Sequence, residues 1–399
     1  MSALDSSSGL VVVAPDKFKG SLSAPEASAA IARGLRAARP GLGVVEHPVA
    51  DGGEGTVAVA VRAGFTHVRC AVTGPSGDRL AAAYALRGRT AVIELAQAAG
   101  VRRLGGRAVA PGAGTTRGVG ELLVQALDQG AQRIVVGAGG SVTTDGGAGL
   151  VRALGAELYD ALGHRLAEGG SALAGAARLE VSRLDPRLAR IELLVACDVD
   201  NPLLGPRGAA AVYGPQKGAT PGDVRLLEAG LTRWAELVAA ATGADLRDQP
   251  GAGAAGGAGF GLAAVLGARL LPGIDLMLDL TGYRDVLAGA CLVVTGEGSL
   301  DAQSLRGKAP VGVARQAAAR GVPTVAVAGQ CRVSPAALLH VGIQAVYPLT
   351  DLEPDLRRCQ ADAAVLVERV ATRIAADWLT GRGGTSTGRP VCSNSDANN

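Results

Sequence analysis

Short Val-rich runs that stop at Pro, Gly or an acid alternate along this chain with Ala/Leu-rich stretches of helical period. "GLVVVAPD" is apolar without alternation and ends at Pro15, the pattern of a strand buried on both faces of a parallel sheet. Ser23 offers an N-cap and Glu26 completes a capping box, so "APEASAAIARGLRAARPG" is expected to be a helix that stops at Pro40 and Gly41. "VVEHPVADGGEGT" reads as a second strand running into a Gly-rich loop, and "TVAVAVRAG" as a second helix. This β-α-β-α opening predicts a doubly wound sheet with ligands at the carboxyl ends of its strands. "PDKFKGS" and "ADGGEGT" are such strand-end loops.

A different texture begins near Val72. "VTGPSGDRLAAAYALRGRTAVIEL" predicts strands joined by turns, with a hairpin around "RGR". "TTRGVGELLVQALDQG" is amphipathic at helical period with Thr115 or Thr116 as its cap, "RIVVGAGGSVTTDGGAG" is strand, Gly-rich loop and helix, and "IELLVACDVDNP" is a strand ending in acids. From Cys291 the first texture returns: "CLVVTGEGSLD" as strand and loop, "PVGVARQAAARG" as helix, "PTVAVAG" and "AVYPL" as strands, and "DAAVLVERVATRIAADWL" as a last helix. The expected organisation is therefore α/β with two domains. Residues 1–75 and 285–380 form a discontinuous parallel-sheet domain, 76–284 an inserted α/β domain, and the polar 381–399 a disordered tail.

Composition removes several classes of function. Net charge is only +3 and ten residues in 399 are aromatic, which leaves neither a basic stripe nor stacking platforms for nucleic acid. The six cysteines (Cys70, Cys197, Cys291, Cys331, Cys359, Cys392) lie far apart with no C-x-x-C pair, and the four histidines are isolated, so no zinc cluster is indicated. No segment approaches the ~20 apolar residues of a membrane span. The start "MSALDSSSG" has no signal-peptide pattern, and a cytoplasmic protein is expected, its oligomeric state left open with a homo-oligomer included.

The 59 glycines gather in "DGGEG" at 51–55, "GAGG" at 137–140, "DGGAG" at 145–149, "GAGAAGGAGFG" at 251–261 and "TGEG" at 295–298. Gly-rich loops after strands let backbone N–H groups converge on phosphate oxygens. Acids keep them company: Asp51 and Glu54 flank two glycines, Asp198 and Asp200 close a strand, and Glu297 and Asp301 straddle "GSL". Phosphoryl transfer to a hydroxyl needs a carboxylate for Mg²⁺, often another for the proton, and cations for the developing charge. The cations stand out too. Of 39 basic residues only Lys17, Lys19, Lys217 and Lys308 are lysine, and all four lie in Gly- or Pro-bearing turns. A lysine is a point charge suited to terminal phosphate oxygens, whereas the fork of Arg117 suits a substrate carboxylate. "GAGAAG" at 251–256 matches G-x-G-x-x-G without a preceding strand, which argues against a dinucleotide site and a dehydrogenase. P-loop and protein-kinase signatures are absent.

Together, "VAPDKFKGSLSA", "VADGGEGT", "TTRGVGEL", "GAGGSVTTDGGAG", "ACDVDNPL", "GPQKGA", "PGAGAAGGAGFG" and "TGEGSLDAQSLRGKAPVGVA" resemble the bacterial glycerate kinase family, from about Val11 to Leu379. The resemblance implies ATP- and Mg²⁺-dependent phosphorylation of D-glycerate to 2-phosphoglycerate, and a Rossmann- or flavodoxin-like domain carrying a second α/β domain. It matches Lys19 and Ser21 to the family's first loop, and Asp51, Glu54, Asp198, Asn201, Glu297, Asp301 and Lys308 to further motif positions. The roles expected in an interdomain cleft are Asp198 as proton acceptor or Mg²⁺ ligand, with Asp51 as its rival, and Lys19 and Lys308 as neutralising cations. Arg117, Ser21 and Asn201 are expected to hold substrate. Gly139, Gly140, Ser141, Thr143, Gly296 and Glu297 are expected to hold nucleotide, and Asp198, Asp301 and Glu54 the metal. The alternatives are a glycerate 3-kinase, a kinase of another small hydroxy acid, and a non-catalytic sensor of nucleotide or hydroxy acid.

Overall fold

The computed structural model describes residues 9–105 and 109–379; the tail expected at 381–399 lies outside the described residues. The strands of the amino-terminal half are β1 (Leu10–Pro15), β2 (Gly43–Glu46), β3 (Thr66–Thr73), β4 (Arg79–Arg87), β5 (Thr90–Glu94) and β6 (Arg133–Gly137). They continue as β7 (Glu157–Tyr159), β8 (Arg178–Glu180), β9 (Glu192–Ala196) and β10 (Arg269–Leu271). The last are β11 (Ala290–Leu300), β12 (Thr324–Cys331) and β13 (Ile343–Pro348).

The chain is an α/β protein of two compact units, one made of residues 9–49 with 282–379 and the other of Ala50–Thr281. The first holds a five-stranded sheet in the order β13-β12-β11-β1-β2, parallel throughout. Val11, Val12, Val13 and Ala14 are fully buried, as an unalternating strand requires when both faces are covered. Helix Ala24–Ala38 starts at Ser23, whose side chain accepts the Glu26 N–H while the Glu26 carboxylate accepts the Ser23 N–H. It packs against helix Ala363–Trp378, and Ile31, Leu35, Val367, Val370 and Ile374 share one core with β1, β11 and β12.

The segment "TGEG" departs from the expected loop. β11 runs on through Gly296, Glu297 and Gly298 to Leu300, in register with Val327, Ala328 and onward to Cys331 of β12. The reason is backbone closeness: a Cβ on Gly296 would lie 2.3 Å from the Val327 carbonyl oxygen, so the glycine permits a strand where the sequence suggested a turn.

The second unit holds a mixed six-stranded sheet, β10-β9-β6-β5-β4-β3, parallel from β10 to β5 and antiparallel at β4 and β3. The hairpin at "RGR" pairs Arg87 with Thr90. β7 and β8 form a small ribbon. Helix Pro221–Thr242 carries the fully buried Trp234 into a core shared with Leu122, Leu123, Ile134 and Phe260. Helix Thr56–Arg62 and strand β3 belong to this unit, so the division falls between Val49 and Ala50 instead of at 75. β3 pairs with β4 along its whole length and so joins the second sheet.

Candidate active site

In the first unit, β1 and β11 lie side by side and deliver their carboxyl ends together. The buried Asp16 donates its backbone N–H to the Gly296 carbonyl at 2.8 Å and its carboxylate pairs with the Lys17 ammonium at 3.6 Å. The next turn is closed by Ser21 and Leu22 N–H groups on the Phe18 carbonyl, and the Ser21 hydroxyl donates to that same oxygen at 3.1 Å. This leaves Lys19 and Gly20 exposed at the tip. A Cβ on Gly298 would stand 3.0 Å from the Lys19 backbone nitrogen, so Lys19 rides directly over the end of β11.

Downstream, the Asp301 carboxylate accepts N–H bonds from Gln303 (2.8 Å) and Ser304 (3.3 Å), the work of a turn cap. Lys308 is the N-cap of helix Ala309–Ala318, whose first turn carries no acid, and its ammonium lies 3.5 Å from the Gln303 side-chain oxygen. A cation at the positive end of a helix is locally unfavourable and gains from an anion held there. Glu297 and Gly296 sit within β11, with Glu297 nearly buried.

In the second unit the loop 50–55 is laid against the carboxyl ends of β6 and β9. Gly52 has φ +90°, and a Cβ there would collide with Ala196 at 2.7 Å. The Asp51 carboxylate accepts the Gly53 N–H at 3.1 Å, and the exposed Asp198 accepts the Gly273 N–H at 2.9 Å. A Cβ on Gly273 would lie 1.9 Å from the Asp51 backbone carbonyl and 3.1 Å from the Asp198 carboxylate, so the Asp51 backbone and the Asp198 side chain close on one glycine. Glu54 is paired with Arg102 at 2.7 Å. Asn201 organises its own loop, donating to the Arg207 carbonyl (2.7 Å) and accepting the Tyr213 hydroxyl (2.6 Å). Among the described residues no three of His, Cys, Asp and Glu gather closely enough to hold a metal ion.

Two acids unremarked in the sequence organise these loops. The buried Glu94, at the end of β5, accepts the N–H groups of Gly55 and Val57 and so caps helix Thr56–Arg62 from a distant strand. The fully buried Asp145 accepts from the Thr116 N–H and hydroxyl, both at 2.8 Å, and from the Gly147 and Gly149 N–H groups at 3.2 Å. Burial pushes its carboxyl above the usual range, and those hydrogen bonds pull against it. Thr116 is thus the N-cap residue of helix Arg117–Asp128 with its hydroxyl turned to Asp145, while the Thr115 hydroxyl takes the Arg117 N–H at 3.1 Å.

The Arg117 guanidinium gives Nε (3.0 Å) and Nη2 (2.6 Å) to Glu168, which also accepts from Thr115 and pairs with Arg152 at 3.2 Å. Burial raises the Glu168 carboxyl, but the bonds from Thr115 and Arg117 and the charge of Arg152 outweigh it and hold the acid below its usual range. Ser141 and Thr143 hydroxyls bond each other at 2.7 Å, and Gly139 and Gly140 precede them at the end of β6. Lys217 donates to the Thr143 carbonyl at 2.6 Å. A surface groove along helix Pro221–Thr242, bordered by Gly205, Val224, Glu228, Thr232 and Arg233, meets these loops only through the Asn201 loop, at Gly205 and Pro206.

Each unit thus ends strands in Gly-bearing loops, with Lys19 exposed in the first and Asp198 exposed in the second. The model of the glycerate kinase family matches residues 11–379, and the chain belongs to that family. It is 44% identical to the glycerate kinase of Bacillus subtilis (strain 168) over 92% of this chain and 97% of that one. It is also 44% identical to the glycerate 2-kinase of Escherichia coli (strain K12), covering 93% of this chain and 98% of the relative. A Salmonella typhimurium LT2 crystal structure assigned as glycerate kinase 2 superposes with a TM-score of 0.80 at 43% identity, over 93% of this chain and 98% of that one. No helix among the described residues is long and apolar enough to cross a membrane.

Proposed function

We propose that this protein transfers the γ-phosphoryl group of ATP to the C2 hydroxyl of D-glycerate, forming 2-phosphoglycerate and ADP. The observation that carries the reading is family membership over residues 11–379, and the Asp198 carboxylate beside Gly273 and the Asp51 backbone supports it. The printed name of the Escherichia coli relative supports the 2-position.

The first unit supports a flavodoxin-like, nucleotide-binding reading. Numbered within that unit, its strands run 2-1-3-4-5, and β1 and β11 form the pair at which the order reverses. Ligands of doubly wound sheets bind at the carboxyl ends of such a pair, where Lys19 stands over Gly298. Lys19 and Lys308 neutralise charge as the γ-phosphoryl group moves from the β-phosphate oxygen to the incoming hydroxyl oxygen. Asp198 accepts the hydroxyl proton, and Asp51 is the alternative acceptor.

Gly139, Gly140, Ser141 and Thr143 offer backbone and hydroxyl donors for phosphate oxygens. Mg²⁺ bound with ATP would supply positive charge against the negative charge that develops in the transfer. Kinase Mg²⁺ rests on one or two carboxylates together with substrate phosphates, which fits strand-end acids without an all-protein cage. Asp198, Glu54 and Asp301 are the carboxylates that would hold it; Glu54 is paired with Arg102, Asp301 caps a turn and Asp198 accepts the Gly273 N–H. The test is ADP release by purified protein with ATP, Mg²⁺ and a panel of small hydroxy acids. Turnover confined to D-glycerate is expected. Turnover with a different hydroxy acid replaces the substrate, and binding without turnover favours the sensor.

A further inference from the structure

Three of the Gly-bearing segments of the second unit meet at one residue, Thr143. Its carbonyl receives the Lys217 ammonium at 2.6 Å from "GPQKGA", its hydroxyl bonds Ser141 at 2.7 Å, and its N–H donates to the Ser141 hydroxyl at 2.9 Å. From the third side comes "GAGAAGG". A Cβ on Gly256 would lie 1.9 Å from the Thr143 carbonyl oxygen, so only glycine lets that backbone through. Ala255, Gly256 and Gly257 run consecutively at φ +52°, +71° and +87°, and Ala255 is the only non-glycine at positive φ among the described residues. A non-glycine held there costs free energy, and such strain concentrates where a ligand is gripped.

The ammonium of Lys217 is under-used in this setting. It carries three donors, yet among the described residues its one hydrogen bond goes to the Thr143 carbonyl. The side chain is half-buried, and loss of water around its tip lowers its pKa to about 8 against the opposing pull of Asp145. A positive charge in that position needs a second oxygen acceptor. Arg117 is in a different condition, since Glu168 already occupies its fork.

We propose that Lys217 is a ligand-binding residue: with the Ser141 and Thr143 hydroxyls it forms a subsite for the anionic oxygens of a small ligand. The identity of that ligand rests on the glycerate kinase reading, which supplies two sources of such oxygens, the carboxylate of D-glycerate and the phosphates of ATP. The inference gives Lys217 the anion-holding part expected of Arg117 and makes Arg117 a strut of the loop.

The test is calorimetric titration of the wild-type protein and Lys217→Met with D-glycerate and, separately, with ATP, together with kcat and the melting temperature. Trp234 donates its indole N–H to the Gly146 carbonyl at 3.0 Å, so tryptophan fluorescence reports independently on the same loop. Lys217→Met should weaken one ligand about 10- to 100-fold, the range of a charged hydrogen bond. Loss confined to D-glycerate identifies the carboxylate, and loss confined to ATP identifies phosphate. Affinities for both ligands within twofold of wild type, whatever happens to the melting temperature, overturn the proposal.

Should Lys217→Met fail to fold, wild-type affinity against pH decides. It should fall above pH 8 as the ammonium deprotonates, with Asp145 the charged group facing it, and a flat profile to pH 9.5 overturns the proposal. Wild-type turnover tests the glycerate kinase reading separately, so Lys217-dependent anion binding without turnover would sink that reading and leave this one standing.

Discussion

The lysines of the two units live under opposite conditions. In the first unit Lys19 is exposed at a turn tip and Lys308 caps a helix from a partly open position, so each keeps its charge in contact with water. In the second, Lys217 holds its ammonium on a backbone carbonyl beside the fully buried Asp145, and burial lowers its pKa to about 8. Within the second unit the carboxylates show the same two conditions. Asp198 is exposed at the end of β9, while Asp145 and Glu94 are buried and bind the backbone of the loops around them. Exposed groups can act on a ligand at little cost to the fold. Buried ones set the shape of the loops, and a change in them is expected to register first as stability.

That contrast can be broken most directly at Asp198. Asp198→Asn keeps the shape and removes the proposed proton acceptor, and kcat should fall about 10²- to 10⁴-fold with the melting temperature little changed. Asp51→Asn, measured beside it, shows which acid takes the proton, and a larger loss there would exchange their roles.

Asp145→Ala should behave in the opposite sense. It leaves the Thr116, Gly147 and Gly149 N–H groups without their acceptor, and unfolding in denaturant should show a loss of about 3–5 kcal/mol.

His47 sharpens the comparison from the first unit. It is buried against Tyr283, and burial lowers its pKa from 6.5 to about 4, so it is neutral where Lys217 is charged. The unfolded chain binds its proton more tightly between those values. Stability is therefore full above pH 6.5 and falls as pH drops toward about 4, by about 3 kcal/mol. His47→Gln should flatten that part of the denaturation profile.

Lys308→Ala and Lys19→Ala should each lower kcat/KM about 10- to 100-fold without moving the melting temperature. An unchanged kcat/KM in Lys308→Ala removes its assigned role. Ser23→Ala, which loses the two hydroxyl contacts to Glu26, is the smallest change, about 1 kcal/mol of stability with activity retained.

Much of this arrangement was legible in the sequence because it rests on local rules. Val-rich runs gave buried strands, Ser23 and Glu26 gave a capped helix, and strand-end glycines located the loops. Helix Pro221–Thr242 also left a local signal, namely Thr220 and Asp223 as a capping box, Pro221 in the first turn and Gly243 in the left-handed conformation at its end. "TGEG" misled, because glycine serves a close strand as well as a turn, and only the partner Val327 distinguishes the two.

The partners of the site residues were beyond local reading. Glu168 lies 51 residues from Arg117, Glu94 lies 39 from Gly55, and Thr143 lies 74 from Lys217. Such pairings depend on how the second sheet brings its loops together. A motif can nominate Arg117 as a carboxylate binder, but its sequence neighbourhood does not reveal that a glutamate already holds its fork.

The central claim is that this chain phosphorylates glycerate on its C2 oxygen, and the most direct measurement is NMR of the product from purified protein, Mg-ATP and D-glycerate. Phosphorus coupled to the proton on C2, the signature of 2-phosphoglycerate, is the expected result. Coupling to the C3 protons would contradict the assigned position, and no phosphoglycerate would contradict the activity itself.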